Sequence, residues 1–517
     1  MYFKNRFVSY LVSGSFLLSV VSCTKKLDTN LNNPNSITTN AISGKDVFPN
    51  ALQNTVYAIN ANAFIYSSAS AIPVQTTVGI STLTNEWMGI WARTTSYSAS
   101  GTQYQVEVFV LNNGFGDNFW GSIYHNLSDY NFVASKSATG SILPGAAIVM
   151  KALLFQDLVD IFGDIPYSQA LSGTITTPVY DKATAIYADL PLQLDSAMAL
   201  INASQATADD AADILFKGNK ADWLAFANTI KLRVLLRQVP NAATAAALQA
   251  EVSKTASYGY LTAGVDATIN PGYKDATSQQ SPFWATFGFQ VGGTTNPYQP
   301  NTFYIANQTI IDYLSAVSDP RLGYLYKAAP AGGYAGNYLG DADNAKQVSA
   351  LSTIGAGILK SPSMSGVIMT ASEGLFLQAE AAQRGLISGN YLSLFNQAVA
   401  ESFRYLGVPN DAAAAAAYIS TSTDDRVNPA AAADPIKTII YQKWVANAET
   451  DGLEIWSDYR RTGYPDRSNP SVNPAASVNV IPKRLLYPLS ETAQNTANYN
   501  GQNQKNSDIY TKIFWGR

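Results

Sequence analysis

One histidine and one cysteine are all that the 517 residues offer for imidazole or thiol chemistry. His125 lies in DNFWGSIYHNLSDY, which reads as an amphipathic helix, and a lone histidine there is a structural residue rather than a general base. The chain contains no G-x-S-x-G, no H-E-x-x-H, no phosphate-cradling G-x-x-x-x-G-K-[ST] and no cysteine pair for zinc. Carboxylates are what remains. With 37 acidic residues, paired carboxylates for glycoside hydrolysis stay open, so a surface glycoside hydrolase or lyase is the alternative to any binding role. The densest acidic group is Glu449, Asp451, Glu454 and Asp458, beside Arg460 and Arg461 in the segment Trp444–Pro465. It is either a catalytic cluster or, the preferred reading, a set of ion pairs and aromatic contacts that lock a turn after a helix at 436–448. Asp341-x-Asp343-Asn344 lacks the glycine and terminal glutamate of a calcium loop and reads as a solvated turn.

Cys23 has a different chemistry. Lys4 and Arg6 precede an apolar run from Phe7 to Val21, and the run closes on Val20-Val21-Ser22-Cys23. The run is shorter than the ~20 residues a membrane-spanning helix needs. Aliphatic, aliphatic, small, Cys resembles the bacterial lipobox, so residues 1–22 read as a lipoprotein signal peptide and Cys23 as the lipidated mature N-terminus. Each buried methylene of such a lipid contributes ~0.8 kcal/mol, and three acyl chains hold a protein on a bilayer indefinitely. With Cys23 consumed, stability must come from core packing.

Hydrophobic residues make up 47% of the chain and charged residues 14%, well below the ~25% of ordinary domains. Thirty tyrosines and eight tryptophans suit both core packing and ligand stacking. A net charge of −4 without a basic block argues against nucleic acid.

These residues must be positioned by a mainly α fold. Residues 23–45 are polar and Asn-rich, a tether, and folding is expected to begin near Val47. From about 117 the text turns helical. Ala146–Phe162 is apolar round most of its circumference and is stopped by Gly163-Asp164-Ile165-Pro166. A second helix is predicted over Tyr180–Ile201, capped by Asp181, with Ile186, Leu190, Leu194 and Ala197 on one face. A third, Asp222–Val239, carries a core stripe of Trp223, Phe226, Ala227, Ile230, Val234 and Leu235, with Lys231, Arg233 and Arg237 turned elsewhere. Residues 371–406 read as helix, glycine-containing turn, helix, resembling one tetratricopeptide unit, although no clean ~34-residue recurrence is visible. The helical scaffold thus spans about 117–240 and 304–460. The stretches 64–116 and 256–303, rich in Gly, Ser, Thr, Asn and aromatics, lack helical period and read as functional loops or small sheets. The alanine runs 412–417 and 430–433 carry no chemistry.

Several segments coincide with one family. KALLFQDLVDIFGDIPYSQAL, YDKATAIYADL, ADWLAFANTIKLRVLLR, Asp319-Pro320-Arg321-Leu322, QKWVANAETDGLEIWSDYRRTGYP and IPKRLLYP, following the lipobox and tether, resemble the SusD/RagB-like nutrient-binding outer-membrane lipoproteins over essentially the full length and in order. The resemblance implies a single domain, 46–517, of about four degenerate tetratricopeptide-like helix pairs with loop-rich, irregular ligand-binding insertions. It implies no catalysis, no cofactor and no metal. The protein would lie on the outer face of the outer membrane and pass glycans, or sometimes peptides, to a SusC-like TonB-dependent β-barrel transporter. Lys25, Lys26 and Asp28 resemble a surface-export signal.

A sugar presents an apolar C–H face and a hydroxyl rim, so its shelf needs aromatic planes flanked by amides or charges. Two clusters outside the helical text qualify. One is Glu86-Trp87, Trp91 and Tyr97; the other is Phe283-Trp284, Asn296 and Tyr298, with Tyr273 nearby. Trp87 and Trp91 are four apart and would share a helical face, which is also a core signature.

Overall fold

The computed structural model describes residues 42–61, 79–94, 101–239, 245–293, 303–341, 346 and 348–517. Cys23, the tether, Tyr97, Asn296 and Tyr298 lie outside the described residues. Among those described, no helix is long and apolar enough to cross a membrane.

The first described helix, α1 (Gly44–Val56), begins where the Asp46 carboxylate accepts the Ser43 N–H at 2.8 Å, and it buries Phe48, Ala51, Leu52 and Val56. Two helices follow in a stretch expected to be loop or sheet: α2 (Ile80–Trp87) and α3 (Gly101–Val108). All eight residues of α2 are buried. Its polar side chains bond back to the helix, Thr84 Oγ1 to Ile80 O at 2.8 Å and Asn85 Nδ2 to Ser81 O at 2.8 Å, so burial on all sides leaves no apolar period to read.

The scaffold proper is α4 (Asp117–Lys136), α5 (Leu143–Phe162), α6 (Ala183–Ala203) and α7 (Lys220–Arg237), each packed on the next or near-next in order. α5 and α6 approach so closely at Gly145 that a Cβ there would lie 2.6 Å from Ile201 Cγ1 and 2.9 Å from the Ala197 carbonyl oxygen. Asp181 does not cap α6. It sits in the short ribbon of Ile165–Pro166 with Tyr180–Asp181, where its carboxylate takes the N–H groups of Tyr167 and Ser168, and Asp164 accepts the Ala183 N–H at 2.8 Å instead. α7 is capped by Asn219 and buries the expected stripe. Lys231, Arg233 and Arg237, expected to turn away, are also buried, at 1%, 3% and 1% exposure.

Beyond a short helix, α8 (Pro282–Phe287), the predicted helix–turn–helix is present as α9 (Ala371–Gln383) and α10 (Tyr391–Leu406), which pack together, and α10 packs in turn on α11 (Asp411–Thr421). Two further helices, α12 (Pro435–Ala446) and α13 (Gly452–Thr462), start at Asp434 and Asp451, whose carboxylates cap them. α13 returns to pack on α2. The fold is mainly α, with short two-stranded antiparallel ribbons: Trp91–Arg93 with Tyr304–Ala306, Ala267–Ile269 with Gly366–Met369, and Tyr326–Lys327 with Thr353–Ile354. One large apolar cluster runs through the helices, and a smaller one joins Leu232, Leu236 and Leu248 to Leu377 and Leu386.

Candidate ligand-binding site

The acidic cluster near the C-terminus is a buried seam between helices. Glu454 on α13 ion-pairs with Arg237 of α7 and Lys443 of α12, Asp458 with Lys443 and Arg461, and Arg461 with Glu380 of α9. Asp157 and Asp160 of α5 and Glu373 of α9 complete it around Arg233 and Arg237. Burial opposes ionisation of Glu454, yet Arg237, Lys443 and Arg233 outweigh it and hold the carboxyl well below its ordinary range; burial is likewise overcome at Glu380, held down to about 2 by Arg461 and Arg384. Carboxyl groups outnumber cations here. Burial accordingly drives Asp157 and Glu373 well up, towards the neutral form. Arg460 leans over the Trp456 ring at 3.5 Å and donates to the Asp160 and Lys483 carbonyls. Every seam residue faces another protein group, which suits holding five helices in register. His125 stands exposed on α4. Among the described residues no group of three or more His, Cys, Asp or Glu is placed to hold a metal ion.

The first aromatic cluster is also interior. Trp87 lies between Phe109 and Trp456, ring centroids 6.4 and 5.6 Å away, and Trp91 lies against Phe287 at 4.8 Å and Tyr304 at 5.5 Å. Both are 0% exposed, so neither ring offers a face to a sugar. The cause is backbone placement: Trp87 ends the wholly buried α2, and Trp91 is paired with Ala306 in a covered ribbon. Glu86 is buried beside them, with Gln103 Nε2 donating to it at 2.7 Å, and burial pushes its carboxyl up to about 8.

The second cluster reaches the surface. α8 divides its aromatics: Phe283 and Phe287 turn inward with centroids 4.7 Å apart, and Trp284 is half-buried, facing Phe289 at 5.8 Å. Phe289 is 38% exposed. The Phe289 carbonyl accepts from Trp284 Nε1 at 3.1 Å and from Gln280 Nε2 at 3.2 Å, and Gln280 also donates to Asp275 Oδ1 at 2.8 Å. Asp275 Oδ2 in turn accepts the Gly292 N–H at 3.0 Å, closing the loop. Gly288 is required: a Cβ there would lie 2.7 Å from the Trp284 ring. Tyr273, half-buried, is held by Asn270 Oδ1, which accepts its N–H at 3.0 Å; burial pushes its phenol up, and Tyr57, 46% exposed, adds to the effect from close by. The result is an aromatic surface with an amide and a carboxylate at its edge. It can stack on an apolar ring face and hydrogen-bond a hydroxyl rim.

Below α8, a small cleft of about 20 Å³ is lined by Phe283, Met364, Tyr405, Glu449 and Thr450. That is room for about one water by the usual threshold of ~10–15 Å³. Glu449 has a left-handed backbone (φ 68°), and neither of its carboxyl oxygens nor Thr450 Oγ1 reaches a hydrogen-bond partner within 3.5 Å. Burial pushes the Glu449 carboxyl well up, against a smaller opposing pull from the Trp91 indole.

Of the residues predicted for the site, Trp284 and Tyr273 are thus placed at this surface, Phe283 under it, and Trp87 and Trp91 in the core. Tyr57, Asp275, Gln280 and Phe289 escaped the sequence reading. Tyr57 follows directly on α1 with no motif of its own, and Phe289 was detectable only as the last aromatic of Phe283-Trp284-Ala285-Thr286-Phe287-Gly288-Phe289.

Comparison with known proteins agrees with this architecture. Residues 49–488 match the family model SusD-like_2, described as starch-binding and associating with the outer membrane. Against curated protein sequences the chain finds no significant match. Among solved structures, it is similar to a chitin-binding protein at a TM-score of 0.72 and 22% identity, covering 92% of this chain and 99% of that one. A chitin-binding SusD homologue from Flavobacterium johnsoniae superposes at 0.70 with 23% identity over 91% and 98% of the two chains. A SusD homologue from Bacteroides fragilis gives 0.70 and 20% identity over 92% and 99%.

Proposed function

We propose, from the premise that this chain belongs to the SusD-like family of starch-binding proteins associated with the outer membrane, that it is a nutrient-binding lipoprotein which captures a glycan at the Trp284–Phe289 surface and releases it unchanged. The observation that carries this reading is that surface itself: half-buried Trp284 on a loop-borne helix facing exposed Phe289 just beyond it, with Gln280 and Asp275 fixed beside them by hydrogen bonds. Aromatic contact supplies affinity that tolerates different sugars, and the polar rim supplies orientation. The lipid on Cys23 and the polar tether keep the body at the membrane. Delivery is to a SusC-like TonB-dependent transporter. The two chitin-binding structural neighbours make β-linked N-acetylglucosamine oligomers the first ligands to try, beside malto-oligosaccharides.

Titration calorimetry with both oligomer series tests the reading, with reducing-end release measured in the same samples. Saturable binding of one series is expected, weakened by about 1–3 kcal/mol in Trp284→Ala, with no new reducing ends. Binding that is unchanged in Trp284→Ala removes the site. Release of reducing ends returns the chain to the hydrolase reading.

A further inference from the structure

A second cleft, of about 430 Å³, lies in the helical scaffold and is lined by residues of α4, α5 and α6 and of the segment that follows Pro166. It falls within the ~300–1,000 Å³ of small-ligand pockets. Its wall is Tyr167, whose ring meets Phe155 edge-on at 4.6 Å and whose hydroxyl is spent on Asp189 Oδ2. Gln193 Nε2 donates to the same oxygen at 3.0 Å, which leaves Asp189 Oδ1 without a protein partner among the described residues. Facing the same space, Lys151 Nζ donates to Asn131 Oδ1 at 2.8 Å.

Lys151 is the anomaly. It is partly buried, and burial draws its ammonium downward in pKa, yet none of the ion pairs among the described residues includes it. Asn131, its hydrogen-bond partner, brings no charge. An ammonium withdrawn from water and left unneutralised is unfavourable unless something else supplies the anion. Among the described residues no protein group accepts from the Asn131 amide N–H₂, which can join Lys151 in binding a two-oxygen acid. The remaining groups, a carboxylate oxygen, the Gln193 amide and an aromatic wall, are those that recognise a ring bearing hydroxyls; the Ser168 and Ser172 hydroxyls at the rim are engaged by Asp181 and Thr174.

We infer that this cleft is a second binding site, independent of the Trp284 surface, which takes one uronic-acid unit: the sugar carboxylate lies on Lys151 and Asn131, its hydroxyls on Asp189 and Gln193, and its ring against Tyr167. Neither the family description nor the aromatic surface requires such a site.

Titration of the full chain with methyl β-glucuronide and with methyl β-glucoside, followed by ligand-observed NMR and calorimetry, tests it. The glucuronide is expected to bind at least tenfold more tightly than the glucoside, with affinity falling as salt is raised. Lys151→Met, which removes a half-buried charge, is expected to reduce glucuronide affinity at least tenfold, to the level of the glucoside. Lys151→Gln, which retains a hydrogen bond to Asn131, is expected to do the same, and Trp284→Ala to leave it unchanged. Equal affinity for the two glycosides, no saturable binding of either, or wild-type glucuronide affinity in a folded Lys151 variant overturns the inference.

Discussion

The helix seam and the ground beneath the aromatic surface both bury carboxyl groups, and they differ in the cations that stand against them. In the seam, Glu454 and Glu380 are ionised because Arg237, Lys443 and Arg461 stand against them. Beneath the surface, none of the ion pairs among the described residues includes Glu86 or Glu449: Arg93, whose charge pulls on Glu86, is paired with Glu107 at 2.8 Å, and burial pushes both carboxyls towards the neutral form. Ion pairs of the first kind tie distant helices together and leave nothing to offer a ligand. Neutral acids of the second kind let loops and short ribbons settle over the core without a fixed counter-charge. The difference separates what holds the molecule together from what it can present.

The comparison is most severely tested at Glu454. Glu454→Gln strands Arg237 and Lys443, and should cost about 3–5 kcal/mol in urea unfolding while glycan affinity of the folded protein stays at the wild-type level. A loss of affinity in the folded fraction would show that seam and surface are coupled. Glu86→Gln sharpens the other side. An acid whose folded-state pKa is raised contributes fully below its unfolded value near 4.5, and that contribution is lost as pH rises towards about 8. Wild type should therefore lose about 1.4 kcal/mol per pH unit across that window relative to Glu86→Gln, read as diverging unfolding midpoints at pH 5, 6.5 and 8. Parallel midpoints would mean Glu86 is ionised throughout. Gln280→Ala is the smallest perturbation: affinity should fall by a few-fold and stability by no more than about 0.5 kcal/mol, since only two exposed hydrogen bonds, to Asp275 and to the Phe289 carbonyl, are lost.

The scaffold was readable because its signals are local. Gly163 (φ 82°) ends α5 where the break from apolar text to Gly-Asp-Ile-Pro said it would, and the α9–α10 pair appears at its predicted place. The seam was half-readable: its acidic half was recognised as structural, but Arg233 and Arg237, like Lys231 of the same helix, which pairs with Asp195 and Glu251, fell off the apolar stripe of α7 and were assigned outward. Helical period alone cannot distinguish a charge facing water from one facing another helix's carboxylate. The aromatic surface was harder still. Trp87 and Trp284 sit in similar aromatic, loop-like text, and what separates them is tertiary: α2 is enclosed by α13, whereas α8 has one uncovered side. Tyr57 and Phe289 join Trp284's neighbourhood only through the folded backbone.

The seam also sets an order in time. Arg237 finds Glu454 only after 217 further residues have been made, and Asp160 is in place 77 residues before Arg237. A chain emerging from synthesis can therefore pair α5 with α7 through Asp157–Arg233 and Asp160–Arg237, while Arg237 still lacks its Glu454 partner until α13 arrives. The seam is completed only when the last of its partners, Glu454 and Asp458 on α13, has been made.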